Sequence, residues 1–179
     1  MSVVLITGCS SGFGLDAAIA FAQKGDTVVA TMRNLAKSDR LQKAAAGAGV
    51  EVEIEQLDVV DDASVANAVA AVLDRHGRID VAVNNAGVGG GGPVETQDFD
   101  TARALFETNF WGPQRVIRAV LPGMREQRSG VIINVGSLAG RVPGIMYSSM
   151  YGASKHALGT LSEALASEGE PFGVRVVNI

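Results

Sequence analysis

Cysteine is almost absent from this chain of 179 residues, with Cys9 the only one. No intrachain disulfide is possible, and a reducing compartment, here the cytoplasm, is the expectation. Histidine is nearly as scarce. His76 and His156 fall in different predicted helices with no cysteine or carboxylate cluster beside them, so a metal site has no donor set to build on. Charge of one sign is also lacking. The net charge is −4, with no basic block or stripe, which gives nucleic acid no surface to hold. Long apolar runs are missing too. Val3–Ile6 is too short for a signal peptide or a membrane span. There is no internal repeat, and the single biased patch is Gly87–Gly92. What remains is a composition 47% hydrophobic and 19% charged, ordinary for a soluble domain and long enough to bury one core.

Strand and helix patterns alternate along the chain. Val3–Ile6 is apolar throughout, as a strand buried on both faces requires. A glycine-rich loop follows, then a helix with Leu15, Ala18, Ile19 and Ala22 on one face and Gly25 placed to end it. Thr27–Thr31 is a second predicted strand. Val52, Ile54 and Leu57 mark a third, ending at Asp58. Asp61 or Asp62 can cap a helix striped by Val65, Ala68, Val69 and Val72 and closed by His76-Gly77. Ile79–Val83 is the fourth strand, running into Asn84-Asn85-Ala86-Gly87. A helical region spans about Phe99 to Arg128, with an interruption expected near Gly112-Pro113. Val131–Val135 is the fifth strand, Tyr151–Glu168 a helix, and Val174–Ile179 the sixth strand. Such alternation predicts βαβ units, a doubly wound parallel sheet and, through right-handed crossovers, helices on both faces. Residues 1–179 read as one domain.

Two segments carry chemistry. The first is Thr7-Gly8-Cys9-Ser10-Ser11-Gly12-Phe13-Gly14, lying between a strand and a helix. A helix N-terminus offers free N–H groups and partial positive charge, and glycine lets the backbone close on a pyrophosphate, with Ser10 and Ser11 adding hydroxyls. The second is Tyr151-Gly-Ala-Ser-Lys155. Four residues apart on a helix, a phenol and an ammonium share a face. An unperturbed tyrosine has a pKa of roughly 10, and a nearby cation favours its ionised form, which suits proton exchange with an alcohol or carbonyl. Tyr147 is a rival, but its partner at i+4 is Tyr151 and not a lysine. Taken singly, each motif is also open to a plain structural use: a glycine turn, or two polar residues on a helix surface.

Together these residues are not ordinary. Thr7-Gly8-x-x-x-Gly12-x-Gly14, Asn84-Asn85-Ala86-Gly87, Asn109, Ser137 and Tyr151-x-x-x-Lys155 resemble, in order and separation, the short-chain dehydrogenase/reductase family, from Val3 to the last residue. Phe106–Gly112 and Val131–Val135 look closest to the branch of 17-beta-hydroxysteroid and retinol dehydrogenases and related bacterial oxidoreductases. The resemblance implies a three-layer Rossmann-type sheet and hydride exchange between a nicotinamide cofactor and a small carbonyl or alcohol. It implies Tyr151 as proton donor and acceptor, Lys155 as its activator and ribose ligand, Ser137 on the substrate oxygen, and Asn109 holding a relay water. Gly8, Ser10, Ser11, Gly12, Phe13, Gly14, Asp58, Val59, Asn85, Ala86 and Gly87 would line the cofactor, with Asp58 on the adenine amine. Cys9 is expected as a small spacer and Gly89–Gly92 as a flexible loop over the cleft. Homodimers or homotetramers are the family's habit.

NAD sites usually carry an acid about 20 residues beyond the glycine loop. Here Ala30-Thr31-Met32-Arg33-Asn34 has none, and Arg33 can fork onto a 2′-phosphate, so NADP(H) is expected over NAD(H). Two other readings share much of this. One is a dinucleotide-binding sensor without turnover, which would have no use for Ser137, Tyr151 and Lys155. The other is a sugar-nucleotide epimerase or dehydratase, which has different loop spacing and a longer C-terminal part. The resemblance further implies segments after Ile179 that line most of the substrate pocket, so the chain reads as truncated after the sixth strand. A chain ending there is expected to be aggregation-prone or propped up by another subunit, with little dehydrogenase activity.

Overall fold

The computed structural model describes all 179 residues. At its centre is Val3–Ile6 (β1), buried at all four positions. Its side chains alternate between two cores, Val3 and Leu5 in one and Val4 and Ile6 in the other, as the two-residue period of a strand dictates. Around it lie Thr27–Met32 (β2), Glu53–Gln56 (β3), Val81–Asn84 (β4), Gly130–Asn134 (β5) and Val174–Asn178 (β6). All pairings are parallel, in the order β3-β2-β1-β4-β5-β6. The chain reverses its direction of winding between β1 and β4, and in open α/β sheets the crevice at that switch, beyond the carboxyl ends of the strands, is where ligands bind.

Helices Gly12–Gln23 (α1) and Asp39–Ala48 (α2) cover one face through Leu15, Ala18, Leu41 and Ala45. Asp62–His76 (α3), Gly112–Gln127 (α5) and Ser149–Gly169 (α6) cover the other through Val65, Val69, Val116, Val120 and Leu165. No helix is long and apolar enough to cross a membrane. The predicted caps hold where they were clearest. The Asp61 carboxylate accepts from the N–H groups of Ala63 and Ser64, and Gly77 closes α3 at φ 72°.

Between Arg33 and Glu51 the sequence carries no clear helix signal, yet α2 forms there. Its buried face is little more than Leu41 and Ala45, too thin a stripe to reveal a period. The interruption expected near Gly112-Pro113 is present and lies directly before that pair. Phe99–Phe106 (α4) passes into a π turn at Glu107–Trp111 and then into α5. Pro113 stands in the first turn of α5, where a missing N–H does no harm. It has none to offer the carbonyl of Asn109 four residues back.

Candidate active site

The N-terminus of α1 is left open. Ser11, its N-cap, is extended (φ −170°, ψ 170°), caps nothing with its hydroxyl, and no acid stands in the first turn. By contrast, Asp61 and Asp98 cap α3 and α4. The free N–H groups and the dipole of α1 therefore face the cleft unopposed.

Close packing fixes that loop. Gly8 sits at φ 76°, and a Cβ there would lie 2.8 Å from Ala86 Cα. A Cβ on Gly14 would lie 2.3 Å from Asn85 Nδ2 and 2.6 Å from the Gly8 carbonyl oxygen. Asn85 Nδ2 donates to the carbonyls of Thr7 (2.8 Å) and Gly8 (3.2 Å). The Thr7 hydroxyl accepts from the N–H groups of Asn85 (3.1 Å) and Ala86 (3.0 Å). The ends of β1 and β4 are thus laced into one surface. Cys9 is buried behind it, its thiol pushed up to about 12 by desolvation; a proton held that firmly leaves no nucleophile, in keeping with a spacer.

A cleft of about 390 Å³ opens here. It is lined by Gly8, Ser10, Ser11 and Phe13, by Met32 and Arg33, by Leu57–Val60, by Asn85–Val88 and by Thr108. Hollows of about 670 and 640 Å³ are larger, but they lie at the amino ends of the strands, away from the switch point. Most residues expected around a cofactor meet in this cleft. Gly12 and Gly14 shape its loop without lining it, and Tyr151 and Lys155 lie outside its lining. Met32, Leu57, Val60, Val88 and Thr108 were not anticipated, since nothing in their side chains announces a ligand. Arg33 is exposed, and its guanidinium makes no ion pair or hydrogen bond within the chain. Asp58 closes a tight turn, one carboxylate oxygen accepting from the Val60 N–H at 3.2 Å.

Tyr151 and Lys155 stand in the first turns of α6, which packs on the Leu138–Gly140 turn without clearance. A Cβ on Gly140 would come within 2.9 Å of Lys155 Cβ, and one on Gly152 within 2.8 Å of the Ala139 carbonyl oxygen. Ser137 heads that turn, its Oγ accepting from the Ala139 N–H at 3.2 Å. The serine therefore does cap a turn, with its own proton still available. Lys155 is buried, its Nζ donates to the Val135 carbonyl at 2.7 Å, and desolvation lowers its pKa. A Cβ on Gly87 would lie 3.6 Å from Lys155 Nζ and 3.2 Å from Asn109 Oδ1. Gly87 lines the cleft, so the cleft reaches the Lys155 ammonium. Tyr151 is half-buried, with its hydroxyl unengaged within the chain.

Asn109 is fully buried and its amide is fully engaged. Oδ1 accepts from the Val88 N–H, while Nδ2 donates to the Val88 carbonyl and to Ser154 Oγ. The Gly89–Gly92 loop is tied to the chain at its end. The Gly92 N–H donates to the Tyr147 carbonyl at 2.9 Å, and Gly91 has no room for a Cβ against that oxygen. Tyr147 itself sits at φ 62° with its ring exposed.

A doubly wound parallel sheet with an open helix N-terminus at the switch point defines a dinucleotide-binding domain. The family model for short chain dehydrogenases matches residues 2–179, and the chain belongs to that family. It is 42% identical over 175 residues to human retinol dehydrogenase 8 (96% of this chain, 55% of that protein). It is 41% identical over 181 residues to human 17-beta-hydroxysteroid dehydrogenase type 1 (98% and 54%). The chain thus spans about half the length of these relatives. Among solved structures, a metagenomic short-chain oxidoreductase in complex with NADP superposes with a TM-score of 0.92 at 36% identity (99% of this chain, 80% of that one). NAD+-bound xylitol dehydrogenase gives 0.93 at 30% identity (99% and 68%). A nicotinamide dinucleotide is the cofactor these neighbours share.

Proposed function

We propose that this protein is an NADP(H)-dependent oxidoreductase interconverting an alcohol with a ketone or aldehyde on a small or lipophilic substrate. The observation that carries this reading is the approach of the cleft to Lys155 through Gly87, with Tyr151 one turn earlier on the same helix. The polar groups present fit a dinucleotide. Free N–H groups at the start of α1 and the hydroxyls of Ser10 and Ser11 suit its phosphates, Asp58 the adenine amine, and the unpaired Arg33 a 2′-phosphate. When bound, the nicotinamide supplies or accepts the hydride.

The chain's own residues handle the proton. Tyr151 donates it to the substrate oxygen in reduction and takes it back in oxidation. Ser137 gives that oxygen a second hydrogen bond as charge builds there. Lys155, with one of its three protons on Val135, has two left for ribose hydroxyls. The carbonyl of Asn109, for which Pro113 has no N–H, is the acceptor for a water linking Lys155 to solvent. The substrate of the whole protein belongs to the same class of alcohols and carbonyls as the substrates that the relatives' names imply, and assembly into dimers or tetramers is part of the proposal.

The test is consumption of NADPH and of NADH by the purified protein with a panel of aldehydes, ketones and lipophilic keto compounds. Faster turnover of NADPH with at least one carbonyl supports the reading. Tight NADPH binding with no turnover on any member would favour a sensor of the same fold.

A further inference from the structure

Asn84, Asn134 and Asn178 occupy matched positions at the carboxyl ends of β4, β5 and β6. Three carboxamides in adjacent strands are an uncommon choice next to an apolar core. Asn84 and Asn134 are buried at 2% and 0% exposure, where an unpaired amide is strongly disfavoured; Asn84 Oδ1 alone of their amide atoms has no partner within the chain. Their partners run in one direction. Asn84 Nδ2 donates to Asn134 Oδ1 at 2.8 Å, and Asn134 Nδ2 donates to Ser162 Oγ at 2.8 Å. Ser162 Oγ donates in turn to the Leu158 carbonyl at 2.6 Å.

Ser162 is on α6, seven and eleven residues beyond Lys155 and Tyr151. Those spacings are close to two and three helical turns, so all three residues share one face. At the other end, the neighbour of Asn84 is Asn85, whose amide holds the carbonyls of Thr7 and Gly8 in the glycine loop. One bonded path therefore runs from the glycine loop through Asn85, Asn84, Asn134 and Ser162 to the helix that carries Tyr151 and Lys155. Its middle residue directly precedes Val135, whose carbonyl holds Lys155 Nζ.

We propose that Asn134 and Ser162 are positioning residues that set α6 against the glycine loop, and hence Tyr151 against a bound dinucleotide. The proposal rests on the reading of Tyr151 as proton donor. Neither residue touches the cleft; each acts through α6. Lys155 anchors the helix near its start, and the Asn134–Ser162 bond anchors it two turns further on. The start of α6 is also held by Asn109 through Ser154 and by the Leu138–Gly140 turn; the Asn134–Ser162 bond is the polar tie to the sheet two turns further on, and it fixes the tilt that those contacts near the start leave open.

Ser162→Ala removes the acceptor without changing helix propensity for the worse. Asn134→Leu, similar in size, cuts the path from the strand side. In each variant of the full-length protein, kcat should fall by about 10- to 100-fold, the scale of a misplacement near 1 Å. The Kd for NADPH, read by fluorescence, should be unchanged. The double variant should be no slower than the worse single one, because both break one path. Amide hydrogen exchange across residues 149–160, measured without cofactor, should quicken in both. A kcat equal to wild type in a folded single variant, or additive losses in the double variant, would overturn the proposal, even with a lowered Tm. Should the wild type itself turn over no carbonyl, the function proposed above fails separately. Hydrogen exchange then still decides the matter, and unchanged exchange in α6 refutes the bridge.

Discussion

Replacing Gly8 by alanine meets two obstacles at once. The residue is at φ 76°, and the new Cβ would sit 2.8 Å from Ala86 Cα, backbone that is itself tied to the Thr7 hydroxyl. Left-handed backbone costs an alanine about 1–2 kcal/mol, and overpacking against a fixed neighbour about 1–3 kcal/mol. Gly8→Ala should therefore destabilise by about 2–5 kcal/mol, a fall in Tm of about 4–20 °C for a chain of this size. Gly12 separates the two terms. It is also left-handed, at φ 62°, but has no atom within 4 Å of a would-be Cβ, so Gly12→Ala should lose only the first part, about 2–8 °C. Gly14 isolates the second. Its alanine gains about 1 kcal/mol of helix propensity, but it loses two Asn85 bonds worth about 1 kcal/mol each and adds overpacking, leaving a net loss of about 2–4 kcal/mol. Thermal unfolding by circular dichroism reads all three. If Gly12→Ala proves as damaging as Gly8→Ala, or if Gly14→Ala stabilises, the close approach of β1 to the β4 loop has been misread.

The remaining expectations follow from single side chains. Arg33→Asp should move kcat/KM toward NADH relative to NADPH; a wild type that already prefers NADH would contradict the role given to Arg33. Burial lowers the pKa of Lys155, so the folded chain holds that proton less tightly than the unfolded one. The charge is then a liability below the folded value, and this fades as pH climbs toward the ordinary lysine range near 10.4. Lys155→Met should accordingly abolish turnover yet leave Tm at neutral pH no lower than wild type, with any advantage shrinking as pH rises; a gap that widens with pH would be the wrong sign. Cys9, buried and with its thiol pushed up to about 12, should resist iodoacetamide in the native protein at mildly alkaline pH and react once guanidinium unfolds the chain. Rapid native labelling would mean the loop opens.

Much of this was legible in the residues because local and global signals agree. The Val3–Ile6 run, the Asp61 cap, the Gly77 stop and the four-residue spacing of Tyr151 and Lys155 each depend on a period or a single cap. What escaped depends on neighbours distant in sequence. The α2 helix buries too narrow a face to show a stripe. The wide turn at Glu107–Trp111 lies directly before the proline, so its position could not be placed from Gly112-Pro113 alone. The engagement of Asn109 with Val88 and Ser154, the tether from Gly92 to Tyr147, and the Asn84–Asn134–Ser162 path join residues up to 55 positions apart, and no periodicity encodes such pairs.

The central claim is that Tyr151 is the group that gives and takes the proton. Tyr151→Phe removes one oxygen whose hydroxyl makes no bond within the chain, so folding and NADPH binding should be unaffected. Steady-state kcat on the best carbonyl substrate should fall by about 10²–10⁴-fold, with the Kd for NADPH held at the wild-type value. Near-normal turnover by the phenylalanine variant on that substrate would contradict the account.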